Sequence, residues 1–247
     1  YSSAASDVYK RQQFNRNFED IEFAVEEADR RNVKVVIALG LKVPYYPEYH
    51  LSSQIKDKME FGQTIDQDHP IANDLLAVDR KVVERLSKFK NISHWQVENE
   101  PFLANVNNWK IDKSLVDAEV KVVRETDPLR RPIILSSVGP ASFNKSWKKY
   151  FELLQAGDGF GVNAYFKTQG INLLSFRVFG KEVKLPWPSF LVWPVQSWYG
   201  LSPNFASLGK YSKDRNVDFW ILEAQAEPYV RTLDDAKRKN NYFVAAD

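Results

Sequence analysis

Short apolar runs alternate with stretches of helical periodicity along the chain. The apolar runs predict strands at 33–39, 92–97, 133–138, 160–166 and 217–222. Apolar residues that recur every three or four positions predict helices at 17–31, 71–89, 114–126, 146–155, 205–213 and 233–246. Ser114 is the expected cap of the third helix, and residues 167–202 are expected to form a long loop.

None of the predicted strands shows a clean alternation of apolar and polar residues. Strands of this kind are buried on both faces, which predicts an α/β fold with a parallel sheet flanked by helices. A doubly wound sheet and a (β/α)8 barrel both fit the order of elements. The glycines at 157–161 lack a following Lys-Ser or Lys-Thr, so the phosphate cradle that a doubly wound phosphate-binding protein needs is not expected there.

Composition is that of a globular protein, with 44% hydrophobic and 27% charged residues over 247 positions. The net charge of +2 comes from interspersed acidic and basic residues, and this argues against nucleic-acid binding. Cysteine is absent, which excludes disulfides and a cysteine nucleophile. The three histidines, at 50, 69 and 94, lack metal-ligand spacing, so we expect no metal.

The two ends of the chain are unusual. Residues 1–12 resemble the translation of a sequencing adapter, and we expect them to be an artefact or a disordered leader outside the fold. The chain stops at Asp247, inside a helical pattern. We therefore expect a gene fragment, and an inactive one, because an incomplete sheet exposes unpaired edges.

Two glutamates carry the chemistry that the sequence suggests. Glu100 follows the strand at 92–97, and Glu223 follows the strand at 217–222. Carboxylates at the carboxyl ends of parallel strands meet at one edge of the sheet, and a pair of carboxylates is what acid-assisted cleavage of a glycosidic bond requires. Glu227 is a rival to Glu223, but it lies in the loop before Pro228 and is expected to orient that loop or to contact sugar instead.

The segments Trp95–Pro101 and Trp220–Pro228 resemble the fourth- and seventh-strand signatures of clan A glycoside hydrolases, the retaining barrel enzymes that include family 5 cellulases. Gly40–His50 looks like the segment after the third strand of related bacterial members, and Asn163–Tyr165 sits where the family has its sixth-strand tyrosine. The resemblance spans about residues 14–247. It implies that residues 13–247 are a partial (β/α)8 barrel domain with strands three to seven present and strands one, two and eight missing.

By this resemblance Glu100 is the general acid/base and Glu223 the nucleophile of a retaining glycosidase that cleaves a β-linked oligo- or polysaccharide. No cofactor is implied, because the carboxylates supply both proton and nucleophile. Asn99 could hold the sugar 2-hydroxyl and Tyr165 could donate to Glu223, although structural roles at the strand ends fit both residues. The alternative function is a catalytically inactive barrel that only binds carbohydrate.

Two further positions are candidates for sugar contact. His50 belongs to a segment that follows a strand's carboxyl end. Trp187 lies in the aromatic, proline-interrupted segment 185–199, whose prolines exclude an ordinary membrane-spanning helix. That segment fits a small core of its own or a stacking platform for sugar rings, and membrane contact is the least expected of its roles.

Overall fold

A computed structural model of the protein describes residues 18–44, 49, 59–104, 106–138, 145–164, 172–178, 181–186 and 205–224. The strands are β1 (Val35–Leu39), β2 (Thr64–Ile65), β3 (Ile92–Val97), β4 (Lys110–Ile111), β5 (Ile133–Val138), β6 (Gly159–Ala164), β7 (Asn172–Val178), β8 (Lys181–Pro186) and β9 (Asp218–Ala224). The helices are α1 (18–30), α2 (Ala72–Leu86), α3 (Lys113–Thr126) and α4 (Phe205–Lys213), with 3-10 turns at Val106–Asn108 and Lys145–Glu152. No helix in the described ranges is both long and apolar enough to cross a membrane.

Five strands form one parallel sheet in the order β1-β3-β5-β6-β9. The spatial order follows the chain order, so each connection moves the chain one step in the same direction. A doubly wound sheet instead reverses direction at a switch point. Because parallel crossovers are right-handed, a sheet wound in one direction carries its helices on one face, as a barrel does. The mixed α/β class and the parallel sheet are confirmed, and the winding is that of a partial barrel.

The sheet is strongly curved. His94 on β3 and Trp220 on β9 contact each other edge to face, with ring centroids 5.0 Å apart, although two strands separate β3 from β9. In a flat sheet, strands three positions apart are separated by about 14 Å. The contact therefore requires that the face bearing both side chains be concave.

Glycines on β6 make room for large side chains on this concave face. Gly159 lies beneath the indole of Trp220, and Gly161 lies beneath the side chain of Leu222. Ile134 of β5 closes the same layer from the other side, since its side chain approaches both glycines. The interior is thus filled by side chains in layers across successive strands, which is how small barrels are packed.

The opposite face of the sheet forms the main core with the helices. Trp95 and Val97 of β3 are fully buried there, and the Trp95 indole N–H donates to Asp127 Oδ2 at the end of α3. Helix α3 contributes an apolar stripe that is packed against the sheet and against α2: Leu115, Val116, Val120 and Val123.

Three expectations about local structure were wrong. Residues 172–178 and 181–186 form an antiparallel hairpin within the segment expected to be a loop, because main-chain pairing does not need a long apolar run. Asp112, rather than Ser114, caps α3, since its carboxylate accepts the Ser114 N–H. The helix expected at 146–155 is a 3-10 turn at Lys145–Glu152. The helix expected at 233–246 and the leader at 1–12 lie outside the described residues.

Replacing Gly161 by alanine should lower the free energy of unfolding by about 1–3 kcal/mol, because the new methyl overpacks the interior layer. The added Cβ would lie 2.3 Å from Leu222 Cδ1 and 2.7 Å from its Cγ. Gly209→Ala is the matched control: its Cβ meets only Phe219 Cδ1, at 3.8 Å, and losing a helix-interior glycine should stabilise by about 0.5–1 kcal/mol. Urea unfolding measures both changes. An unchanged free energy of unfolding in Gly161→Ala would contradict the layered packing.

Candidate active site

Glu100, Asn163 and Glu223 lie at the same edge of the sheet. Glu100 follows β3. Asn163 is the penultimate residue of β6, and Glu223 is the penultimate residue of β9. The sheet is parallel, so the carboxyl ends of its strands point the same way. In α/β folds this edge is where ligands bind and where catalytic residues are placed.

A β-bulge turns Glu223 toward the interior. Val162 pairs with Ile221, but the next residue of β6, Asn163, pairs with Glu223, so Leu222 is an extra residue on β9. Without the bulge Glu223 would alternate to the face opposite Trp220 and Leu222. The inserted residue instead places Glu223 beside Asn163 on the concave face, and re-aiming a side chain near a site is a common use of bulges. The strand was expected to end at residue 222, and it extends through Ala224 because pairing resumes after the bulge.

Asn163 connects the two acids. Its Nδ2 donates to Glu100 Oε1 at 2.8 Å, and its backbone is the sheet partner of Glu223. The side chain is 2% exposed, and its Oδ1 has no hydrogen-bond partner within the described part of the chain. A buried carbonyl oxygen without a donor is unfavourable unless water or a ligand supplies one. Asn163 therefore both fixes one oxygen of Glu100 and offers an acceptor at the site.

The backbone of Glu100 is held in an uncommon conformation. Its φ is +47°, in the left-handed region, where a non-glycine residue is strained by about 1–3 kcal/mol. The Glu100 N–H donates to Ser136 Oγ at 2.9 Å, and the Ser136 hydroxyl donates in turn to Asn99 Oδ1 at 3.1 Å. Gln96 Nε2 also donates to Asn99 Oδ1, at 3.2 Å. Asn99 is buried in this network, and its expected contact with a sugar hydroxyl remains a prediction.

Lys42 holds the same segment from the other side. Its ammonium donates to the carbonyl oxygens of Glu100, at 2.8 Å, and of Leu103, at 3.1 Å. The Lys42 side chain is fully buried. A buried ammonium is tolerated only where acceptors replace its hydration, so these carbonyls account for its position.

Glu98 binds the turn that carries Lys42. Its carboxylate accepts the N–H groups of Leu41 and Lys42, each at 2.7 Å. Gly40 precedes them with φ +107°, and a Cβ there would lie 2.5 Å from Glu98 Cδ, so only glycine fits. The Glu98 carboxylate thus binds main-chain N–H groups, and the charge of Lys42 adds a weaker attraction.

Glu98 belongs to a cluster of three buried carboxyl groups. Asp79 of α2 and Glu119 of α3 face it, and Asp79 also accepts the Gly40 N–H. Burial raises the pKa of Glu119 well above its usual range, and the charges of Glu98 and Asp79 raise it further. Burial likewise raises the pKa of Glu98 to about 7 and, together with the Glu98 charge, that of Asp79 to about 7.

Four predicted site residues, Tyr165, His50, Trp187 and Glu227, lie outside the described residues. Three residues that hold the site together were not predicted: Lys42, Ser136 and Asn163. Asn163 could have been found from its place two residues before Tyr165 in an apolar run. The contacts of Lys42 and Ser136 join distant segments, so the one-dimensional pattern carries no signal for them.

No group of three or more histidine, aspartate or glutamate side chains in the described ranges could hold a metal ion. The three buried acids are no exception, since they face one another and the main chain of residues 40–42.

No protein-family model matches the sequence, and no curated protein matches it. Two solved structures with some similarity are glycoside hydrolases. A chitinase from Rhizomucor miehei shares 10% identity over 90% of this chain and 86% of its own, with a TM-score of 0.39. Cel5A of Thermotoga maritima, solved in complex with cellobiose, shares 14% identity over 80% of this chain and 82% of its own, with a TM-score of 0.31. TM-scores this low do not identify a fold. The partial-barrel winding is therefore inferred only from the strand order and the contacts described above.

Proposed function

We propose that this protein is a retaining glycoside hydrolase that cleaves a β-linked oligo- or polysaccharide, with Glu100 as general acid/base and Glu223 as nucleophile. In this proposal β1, β3, β5, β6 and β9 are strands three to seven of a (β/α)8 barrel. One observation carries it: Asn163 donates to the carboxyl group of Glu100 and is the sheet partner of Glu223. One acid that is hydrogen-bonded to Asn163 and a second acid that pairs with Asn163 in the sheet, both at the carboxyl edge, suit double displacement at an anomeric carbon.

In the first step Glu100 gives its proton to the glycosidic oxygen as that oxygen leaves, and the Glu223 carboxylate attacks the anomeric carbon. A covalent glycosyl ester on Glu223 results. In the second step the Glu100 carboxylate takes a proton from water, whose oxygen displaces Glu223 from the same carbon. Atoms and charges balance over the two steps without a cofactor.

Asn163 supports both roles of Glu100. Its amide N–H donates to Oε1 and so fixes the orientation of the carboxyl group that transfers the proton. A hydrogen bond to a carboxylate also favours the ionised form, which is the form that the second step needs. Asn163 Oδ1 remains as an acceptor for a sugar hydroxyl.

The proposal predicts that an activated 2-deoxy-2-fluoro glycoside will label Glu223 covalently. The fluorine slows both steps, and the dinitrophenolate leaving group restores the rate of the first step only. The glycosyl ester therefore accumulates. Intact mass should rise by one glycosyl unit, and peptide mapping should place it on residues 218–224. Expression should use the longest form of the protein that its gene encodes.

Glu223→Gln should take no label, whereas Glu125→Gln, an exposed acid of α3, should label like the unsubstituted protein. A label on Glu227 would reassign the nucleophile. Binding of oligosaccharide without any label or turnover across a panel of glucosides, mannosides, galactosides and N-acetylglucosaminides would favour an inactive carbohydrate-binding barrel and contradict the proposal.

A further inference from the structure

The segment that carries Glu100 is joined to the turn after β1 by hydrogen bonds in both directions. Glu98 N donates to Leu39 O at 2.9 Å, and Asn99 N donates to Lys42 O at 2.8 Å. In return the N–H groups of Leu41 and Lys42 donate to the Glu98 carboxylate. These bonds fix where the Lys42 side chain begins.

The ammonium at the other end of that side chain binds the loop beyond Glu100. It contacts two carbonyl oxygens, of Glu100 and Leu103, and Leu103 N also donates to Glu100 O at 2.9 Å. The Glu100 carbonyl thus accepts one bond from the main chain and one from Lys42. Both bonds fix the orientation of the peptide unit that follows Glu100.

That orientation matters because Glu98 and Glu100 both have positive φ, at +59° and +47°. Left-handed non-glycine residues persist only where their surroundings over-determine them. Ser136 holds the N–H of Glu100 and Lys42 holds its carbonyl, so the residue is fixed at both ends. The Cα–Cβ direction of Glu100, and with it the placement of its carboxyl group against Asn163, follows from this backbone.

We propose that Lys42 is a positioning residue for the general acid: its buried ammonium holds the Glu100 carbonyl and thereby aims the Glu100 carboxyl group at the site. The proposal rests on the function assigned to Glu100 above. Lys42 acts through Glu100, so its loss should impair only the steps in which Glu100 transfers a proton. Loss of a residue that is needed only for stability would lower the turnover of all substrates equally.

Lys42→Met is the direct test, because methionine keeps most of the volume and removes the ammonium. We expect kcat/KM for glycosides with unactivated leaving groups to fall about 100-fold, the effect of misplacing a catalytic group by about 1 Å. For dinitrophenyl glycosides kcat/KM should change less than about threefold, since that leaving group needs no proton. Azide should raise kcat of Lys42→Met on the dinitrophenyl substrate, because azide attacks the glycosyl ester without a general base.

Val83→Ala is the matched control, since Val83 is a fully buried residue of α2. It should lower stability and show no dependence on the leaving group and no response to azide. The unsubstituted protein is measured first, because a lack of turnover there contradicts the proposed function itself. Turnover by the unsubstituted protein, with an equal loss for both leaving groups in Lys42→Met, overturns only the role of Lys42.

A second variant guards against misfolding of Lys42→Met. The chain contains no cysteine, so Lys42→Cys introduces a unique thiol. Alkylation of the unfolded chain with 2-bromoethylamine rebuilds an ammonium at nearly the original distance, and 1-bromopropane gives a neutral control of similar length. After refolding, the aminoethyl form should regain activity on unactivated substrates and the propyl form should not. Equal activities, or failure of every neutral form to fold, would overturn the proposal.

Discussion

Glu223→Gln should lower kcat/KM on the order of 10⁴-fold or more for every glycoside, because an amide cannot form the glycosyl ester. The loss should be independent of the leaving group, since attack at the anomeric carbon is needed in every case. Glutamine has nearly the same shape, and Glu223 is half-buried at the end of β9, so folding should be preserved.

Glu100→Ala should behave differently. General acid catalysis contributes about 10²–10⁴-fold, so hydrolysis of unactivated substrates should fall by that factor. For dinitrophenyl glycosides kcat/KM should be spared, and azide should restore kcat, since only the proton transfers are lost. Initial rates on the two substrate classes, with circular dichroism as a check of folding, give the comparison.

Glu125→Gln serves as the control and should be as active as the unsubstituted protein, because Glu125 is exposed on α3. The assignment would be wrong if Glu223→Gln kept more than about one per cent of the activity, since loss of a nucleophile leaves far less. It would also be wrong if Glu100→Ala lost activity equally on both substrate classes.

The strands of the sheet were predictable because burial on both faces leaves short, continuous apolar runs. All five predicted strands exist, and the positions of Glu100 and Glu223 at one edge followed from them. The winding direction was not predictable, because a doubly wound sheet and a barrel place the same elements in the same chain order. It required the strand pairing and the contact between His94 and Trp220.

Within the candidate site, the sequence suggested the two acids but not the residues that hold them. The bulge at Leu222 is a property of pairing register between β6 and β9, and neither strand alone encodes it. Lys42 was not predicted, because its burial depends on carbonyl groups about sixty positions away in the chain.

Asp79 and Glu119 could have been noticed. Asp79 lies four residues from both Leu75 and Val83, and Glu119 lies four residues from both Leu115 and Val123. Helical spacing of this kind places an acid in the middle of a buried apolar stripe. A buried acid there needs a specific partner. Asp79 and Glu119 are partners of each other, and both interact with Glu98.

Glu119→Gln should stabilise the protein above about pH 7 and leave its stability nearly unchanged near pH 5. The carboxyl oxygens of Glu119 face those of Glu98 and Asp79, and no donor from elsewhere in the described ranges reaches them. A hydrogen bond between two carboxyl groups requires that one be protonated, and the raised pKa of Glu119 makes it the donor. A glutamine amide has two N–H donors at all pH values and can serve both neighbours.

The sign follows from proton linkage. The folded protein holds protons on these acids at pH values where the unfolded chain, with pKa values of 3.8 for Asp79 and 4.5 for the glutamates, has released them. Their contribution to stability is complete below about pH 4. It declines as the pH rises toward the folded pKa values of about 7 for Asp79 and Glu98 and toward the raised pKa of Glu119. Each extra proton held changes the free energy of unfolding by about 1.4 kcal/mol per pH unit.

At pH 8 we expect Glu119→Gln to raise the free energy of unfolding by about 2 kcal/mol, or about 4–8 °C in Tm for a chain of this size. The isosteric change Glu98→Gln should do the opposite and destabilise by about 2–4 kcal/mol at every pH, because an amide N–H₂ would face the N–H groups of Leu41 and Lys42. Glu125→Gln on the same helix should change stability by less than about 0.5 kcal/mol. Urea unfolding at pH 5 and pH 8 distinguishes these outcomes. Equal effects of Glu119→Gln at both pH values would mean that Glu119 is not the proton donor of the cluster.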